Sequence, residues 1–301
     1  PANLFANCPN VTNFTYTFSG CSGLTGSIPE NLFANCPNVT TISGIFNSCR
    51  GLTGEIPANL FANCPKVTNF SYTFYYCERL TGSIPESLFA NNPVVTSFRD
   101  TFLSCRGLTG SIPESLFAKC PNVTDFGGTF SSCSGLTGEI PARLFTNCTK
   151  VTTFGEGNGG TFNGCTGLTG SIPATLFETC TEVLSFGNST YGRGTFGGCT
   201  GLTGSIPPDL FKNCTKATTF IGTFSGCARL TGEIPATLFD NCPNITKFAG
   251  INSSSGTFSS CAGLTGNAPA LWNRTNVTTS KYCFYGCTKL SNYSSIPDTW
   301  K

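Results

Sequence analysis

LTGSIPENLFANCPNVTTISGIFNSCRG, residues 24–51 of a 301-residue chain, decides the fold because the rest of the sequence keeps returning to it. Leu24 recurs as Leu52, Leu80, Leu108, Leu136, Leu168, Leu202, Leu230 and Leu264, with a degenerate copy at Leu290. The intervals are 28, 28, 28, 28, 32, 34, 28, 34 and 26 residues. A period of this size marks a solenoid, whose units are too small to close a core alone and must stack on their neighbours.

Inside the unit, Leu24–Ile28 and Val39–Ile42 alternate apolar with small or polar residues, which predicts two short strands. Phe33 with Cys36, and Phe46 with Cys49, are three residues apart, a spacing that puts both side chains on one face of a helical or 3₁₀ turn. Pro29 and Pro37 end the strand and the first turn. The fold class expected is therefore a repeat solenoid, mainly β with short helical or 3₁₀ turns, of about ten coils of roughly 28 residues. It spans residues 1–266, beginning mid-repeat, and residues 267–301 form a degenerate last repeat that acts as a C-terminal cap or an assembly junction. Three insertions, Gly155–Gly160, Gly187–Gly194 and Ala249–Gly256, all enter between the second strand and its Phe turn, so they should bulge from one edge.

The units resemble leucine-rich repeats over nearly the whole chain. Phe18, Cys21 and Leu24, in Phe-x-x-Cys-x-x-Leu, resemble the BspA-like class of bacterial and protist surfaces, whereas Leu-Thr-Gly-x-Ile-Pro resembles the extracellular plant-type repeat. The resemblance implies a surface or secreted protein that presents a broad face to partners.

Composition narrows the function. The 17 basic and 15 acidic residues give a net charge of +2 with no basic run, which argues against nucleic-acid binding. No stretch is apolar enough to span a membrane. Met is absent and Pro1 falls inside a repeat, which reads as a processed or trimmed end. Without His there is no Ser-His or Cys-His nucleophile system, and no phosphate-loop motif is present. Glu30, Glu86 and Glu114, each following Ile-Pro, read as solvated turn residues. Neither catalytic, cofactor-binding nor metal-binding residues are expected, so the chain reads as a non-enzyme. The outward Thr column from Thr25 to Thr265 invites an ice-binding reading, but Ser or Glu two residues on leaves no double Thr array, and strand pairing of Thr accounts for it.

Nineteen cysteines fall into two columns, Cys8 to Cys242 and Cys21 to Cys287, with Cys283 in neither. Asn92 takes one slot of the first column with no matching loss in the second, which disfavours strict pairing between columns. An Asn in such a slot resembles the Asn/Cys ladder of leucine-rich repeats. A buried thiol ladder and a disulfide framework both stay open, with Cys283 and Cys287 as the candidate bridge. Sequons occur at Asn10, Asn13, Asn38, Asn69, Asn122, Asn147, Asn188, Asn213, Asn244, Asn252, Asn273, Asn276 and Asn292. Covalent N-linked glycans are expected on them, the alternative being that they are plain turn residues.

Two functions follow. Ser295–Trp300 repeats the phase in which the chain opens, so identical solenoids could stack head to tail into an extracellular fibre or surface layer of a structural glycoprotein, the partner being the chain itself. The alternative is a cell-surface adhesin or recognition ectodomain for proteins or glycans. Its candidate contact patch is Tyr72, Tyr75, Tyr76, Glu78 and Arg79, with Arg99 and Asp100 one coil on, where the repeat is broken by aromatic and charged residues.

Overall fold

The computed structural model describes residues 3–188, 190–250 and 255–301, and in it the coils stack in one column. Nine parallel bridges run unbroken from Asn13 through Thr41, Asn69, Ser97, Asp125, Thr153, Ser185, Thr219 and Lys247 to Thr279. A second ladder joins the Leu-Thr-Gly segments. It contains parallel pairs β1 (Gly54–Glu55) with β2 (Leu80–Thr81), β3 (Gly138–Glu139) with β4 (Leu168–Thr169), and β5 (Gly232–Glu233) with β6 (Leu264–Thr265). Each strand is two residues long, shorter than the sequence suggests. Gly82, directly after β2, has φ +72° and leaves extended geometry, and Pro57, two residues after β1, offers no N–H to continue the ladder.

Turns do most of the work that strands were expected to do. The first Phe turn of each unit is an i to i+3 turn, with Cys36 N–H donating to Phe33 O at 3.1 Å. The second is not helical. Its third residue has φ > 0, +58° at Ser48, +56° at Tyr76, +60° at Ser104 and +60° at Ser132, which defines a type II turn. Such turns overlap in series. Thr73, Tyr75 and Cys77 donate their N–H groups to Phe70, Tyr72 and Phe74 of their own coil. Phe70, Tyr72, Phe74 and Tyr76 donate theirs to Ser97, Arg99, Thr101 and Leu103 of the next coil, at 2.8 to 3.0 Å. Ser71 N–H goes to the Asn69 side chain. Every N–H from Phe70 to Cys77 is thereby satisfied with neither helix nor extended sheet, which lets this irregular backbone be buried.

Phenylalanine columns fill the interior. Rings stack along a column, Phe102 on Phe130 at 5.8 Å and 1°, and tilt between columns, Phe89 against Phe98 at 4.6 Å and 54°. The columns merge into a single buried cluster. Some buried threonines link one coil to the next: Thr101 Oγ1 donates to Phe70 O and Phe98 O, and Thr129 Oγ1 to Phe98 O and Phe126 O.

The cysteines are free thiols. In the second column each Sγ donates to the Phe carbonyl of the coil before, Cys77 to Phe46 at 3.1 Å, Cys105 to Phe74 at 3.0 Å and Cys133 to Phe102 at 2.9 Å. In the first column Cys36, Cys120, Cys148 and Cys242 reach the Phe carbonyl at 3.8 to 4.0 Å and Cys180 and Cys214 the Cys carbonyl of the coil before, and Asn92 substitutes for a thiol by donating to Cys64 O at 2.8 Å and Phe61 O at 3.4 Å. At the far end Arg274 takes the same slot, bonding Cys242 O at 3.0 Å and Phe239 O at 2.7 Å. No bridge joins Cys283 to Cys287; Cys287 instead continues the column with a bond to Phe258 O at 2.9 Å.

The last residues fold over the final coil through 3₁₀ turns at Leu271–Asn273, Tyr293–Ser295 and Asp298–Trp300. Phe284 N–H donates to Trp300 O at 2.9 Å, and the indole lies 5.6 Å from Phe248 and 6.2 Å from Phe284. Ser295–Trp300 therefore does not resume the Leu-Thr-Gly-x-Ile-Pro coil that its sequence phase suggests. Among the described residues no helix is long and apolar enough to cross a membrane.

Candidate functional site

The turn geometry explains why one edge can carry a patch. In the series from Phe70 to Tyr76, the φ > 0 residues Tyr72 and Tyr76 turn outward while Phe70 and Phe74 are buried. Tyr75 lies between them, its ring 5.6 Å from Tyr72 and 4.6 Å from Tyr76, both edge-on. The Arg50 guanidinium sits 5.2 Å over the Tyr76 ring and 4.0 Å from Glu78. Arg79 is exposed and forms no ion pair among the described residues.

One coil on, Arg99 and Asp100 part company. Arg99 Nε donates to Asp125 Oδ2 at 2.6 Å, and Asp125 Oδ1 accepts Gly127 N–H at 2.8 Å. Asp100 has φ +53° and is wholly buried. It accepts Asn158 N–H at 3.2 and 3.3 Å and Asn158 Nδ2 at 3.0 Å. Asn158 belongs to the first insertion, so residues 155–160 fold back across an intervening coil to reach it. Gly127 and Gly128 make this passage possible: a Cβ on Gly127 would overlap Glu156 O, and one on Gly128 would overlap Asp100 Oδ1.

The second insertion rests on the first. Asn188 Nδ2 donates to Gly157 O at 2.5 Å and Arg193 donates to Asn158 O at 3.0 Å, while Arg193 stacks 5.8 Å from the exposed Tyr191 ring. Expected bulges are thus a packed ridge along one edge. Burial pushes the Asp100 carboxyl up to about 6, against the pull of the Asn158 bonds and Arg99. Burial, with Tyr76, Asp100, Tyr72 and Tyr191 around it, pushes the Tyr75 phenol up to about 12. Asp125 is also raised, chiefly by burial.

The structure brings Tyr72, Tyr75, Tyr76 and Glu78 together and ties Asp100 into the neighbouring ridge. Sequence reading missed Arg50, Asp125, Asn158, Tyr191 and Arg193. The glycine run around Asn158 was the available signal, since a loop of that composition can lie flat on a backbone.

The sequons divide by exposure. Asn10, Asn13, Asn147, Asn244, Asn273 and Asn276 are exposed, and Asn38, Asn69, Asn122, Asn213 and Asn292 are half-buried. Several use the amide as a rung between coils: Asn38 to Pro9 O, Asn122 to Pro93 O, Asn147 to Ala118 O, Asn213 to Glu178 O and Asn276 to Pro243 O, at 2.7 to 3.1 Å. Asn188 is 4% exposed, and its amide donates to Gly157 O inside the ridge. Asn252 lies outside the described residues.

The family model described as "Mycoplasma protein of unknown function, DUF285" matches residues 5–115. No curated protein matches the chain. Solved structures similar to it include a TDR receptor, with TM-score 0.48, 23% identity, and coverage of 84% of this chain and 36% of that one. They also include the leucine-rich-repeat ectodomain of the Arabidopsis receptor kinase HAESA in complex with an extended peptide hormone, with TM-score 0.40, 20% identity, and coverage of 88% and 41%. A plant ice-binding protein matches with TM-score 0.45, 16% identity, and coverage of 86% and 68%. The chain spans less than half the length of the two receptor chains.

Proposed function

We propose that this chain is an extracellular recognition module, a non-enzymatic scaffold that presents one irregular edge to a protein or glycan partner. The observation that carries the reading is the contiguous cluster of Tyr72, Tyr75, Tyr76, Arg50 and Glu78, set beside the ridge formed by the insertions. The three tyrosines are half-buried, large rings with few rotatable bonds held next to charged groups, the composition that dominates binding hot spots.

Head-to-tail fibre formation takes second place. It requires a coil to stack where the Trp300 carbonyl already accepts the Phe284 N–H and the indole covers Phe248. Negative-stain microscopy of the concentrated chain should accordingly show dispersed particles. N-linked glycosylation stays part of the proposal at the exposed sequons, and a mass shift on glycosidase treatment of the native material tests it.

The experiment for recognition is to screen the labelled chain against glycan arrays and intact cells, then to repeat the positive arm with Tyr75→Ala/Tyr76→Ala. These rings lie outside the Phe columns, so the variant should keep its circular dichroism and lose at least tenfold in binding. Binding unchanged by the double substitution would move the site elsewhere.

A further inference from the structure

We propose that residues 155–160 form a flap closed over Asp100, and that rising pH releases it. Geometry supplies the closed state. Both carboxylate oxygens of Asp100 face Asn158 on the flap, and the flap lies on a backbone floor, Gly127–Gly128, stripped of side chains. Its far side is held by Asn188 and Arg193, which bond Gly157 O and Asn158 O. Lifting the flap brings water to a carboxylate that is otherwise sealed.

The groups facing Asp100 set the direction. Arg99 is adjacent but engaged by Asp125, Tyr72 and Tyr75 approach from the preceding coil, Asp125 from the following one, and Glu156 is carried on the flap. No cation pairs with Asp100 directly, so burial governs. Its carboxyl is raised to about 6 when covered, from the ordinary value of 3.8. The sign follows from linkage: the covered state binds the proton more tightly than the lifted one, so acid favours closure and ionisation above pH 6 favours opening. With these two values, the closed-to-open ratio should rise about tenfold on going from pH 7.5 to pH 5. Protonation does not break the closed state, because a protonated carboxyl still has an oxygen to accept the Asn158 N–H.

This inference deepens the recognition reading, since the flap borders the tyrosine cluster, but its test needs no partner. Hydrogen exchange of the full chain, corrected for the intrinsic pH dependence, reports the protection of residues 155–160. Protection should be about tenfold greater at pH 5 than at pH 7.5, with the Phe columns unchanged. Asp100→Asn, which cannot ionise, should remove the dependence, and Glu156→Gln, which neutralises the flap's own carboxylate and leaves the Arg99–Asp125 pair intact, should leave it. A flat or inverted profile in the native chain overturns the flap, as does a dependence that survives in Asp100→Asn. Should Asp100→Asn fail to fold, the native profile and the Glu156→Gln control decide alone. Loss of partner binding with an intact exchange profile would count against the recognition reading instead.

Discussion

Buried polar side chains in this molecule work as rungs between coils. Thr129 donates to Phe98 O at 3.0 Å and Phe126 O at 2.8 Å, and its hydroxyl is fully enclosed. Thr129→Val keeps the volume and deletes the donor. Phe98 O retains the Thr101 hydroxyl and Phe126 O the Thr161 hydroxyl, so the cost should be at the low end for a buried hydrogen bond, about 1 kcal/mol. A fall in the urea midpoint at unchanged slope would show it, and no fall would mean the rung is redundant. The sequence made such residues legible as columns but not as donors. At Asn92 the substitution of amide for thiol pointed to a shared partner, and the carbonyls of Phe61 and Cys64 prove to be that partner. Arg274 fills the same role through a far longer side chain, which no spacing rule would have matched to a cysteine.

At the scale of the turn, the spacing of Phe and Cys said correctly that both face inward, since Phe46 and Cys49 are buried. It could not distinguish a helical turn from a type II turn, because both return the chain in three residues. What separates them is the third residue, whose φ > 0 suits glycine and strains any residue with a Cβ. Gly164, Gly198, Gly226 and Gly286 occupy that position in later coils, whereas Ser104 and Ser132 hold it at φ +60°. Ser104→Gly and Ser132→Gly should therefore each stabilise the fold, by about 0.5 to 1 kcal/mol once the greater freedom of glycine in the unfolded chain is subtracted. Thermal melts of the single and double variants check this, and a lower midpoint would show that the serine side chains contribute more than their backbone strain costs. The insertions illustrate the other limit of local reading. Their place in the repeat fixed the edge from which they emerge, but the bonds from Asn158 to Asp100 cross 58 residues of sequence and depend on Gly127–Gly128 being bare.

Over the whole molecule, the same stacking that buries the phenylalanines buries seventeen of the nineteen thiols, all but Cys8 and Cys21. Burial is the main cause that pushes Cys49 up to about 11 and Cys64, Cys120 and Cys227 up to about 12, and it raises Cys105, Cys133, Cys199 and Cys261 well above the ordinary value. Their ordinary value is 9.0, the value at which they would titrate once unfolded. Below pH 9 both states hold these protons, so stability should not depend on them. Above it the unfolded chain releases protons that the folded chain keeps, and each thiol lowers the stability of the fold by about 1.4 kcal/mol per pH unit. Summed over the columns, a typical stability of roughly 5 to 15 kcal/mol would be consumed within about one pH unit. In reductant, the urea midpoint should hold steady from pH 6 to 8, fall steeply by pH 9.5, and reach zero well before the folded thiols themselves would ionise. Alkylation at pH 8 should label Cys21 and Cys8 and spare the buried cysteines. A midpoint that stays level through pH 10 would mean that the unfolded chain also protects its thiols, whereas a steep fall preceded by alkylation of column cysteines would mean that coils open one at a time before the stack is lost.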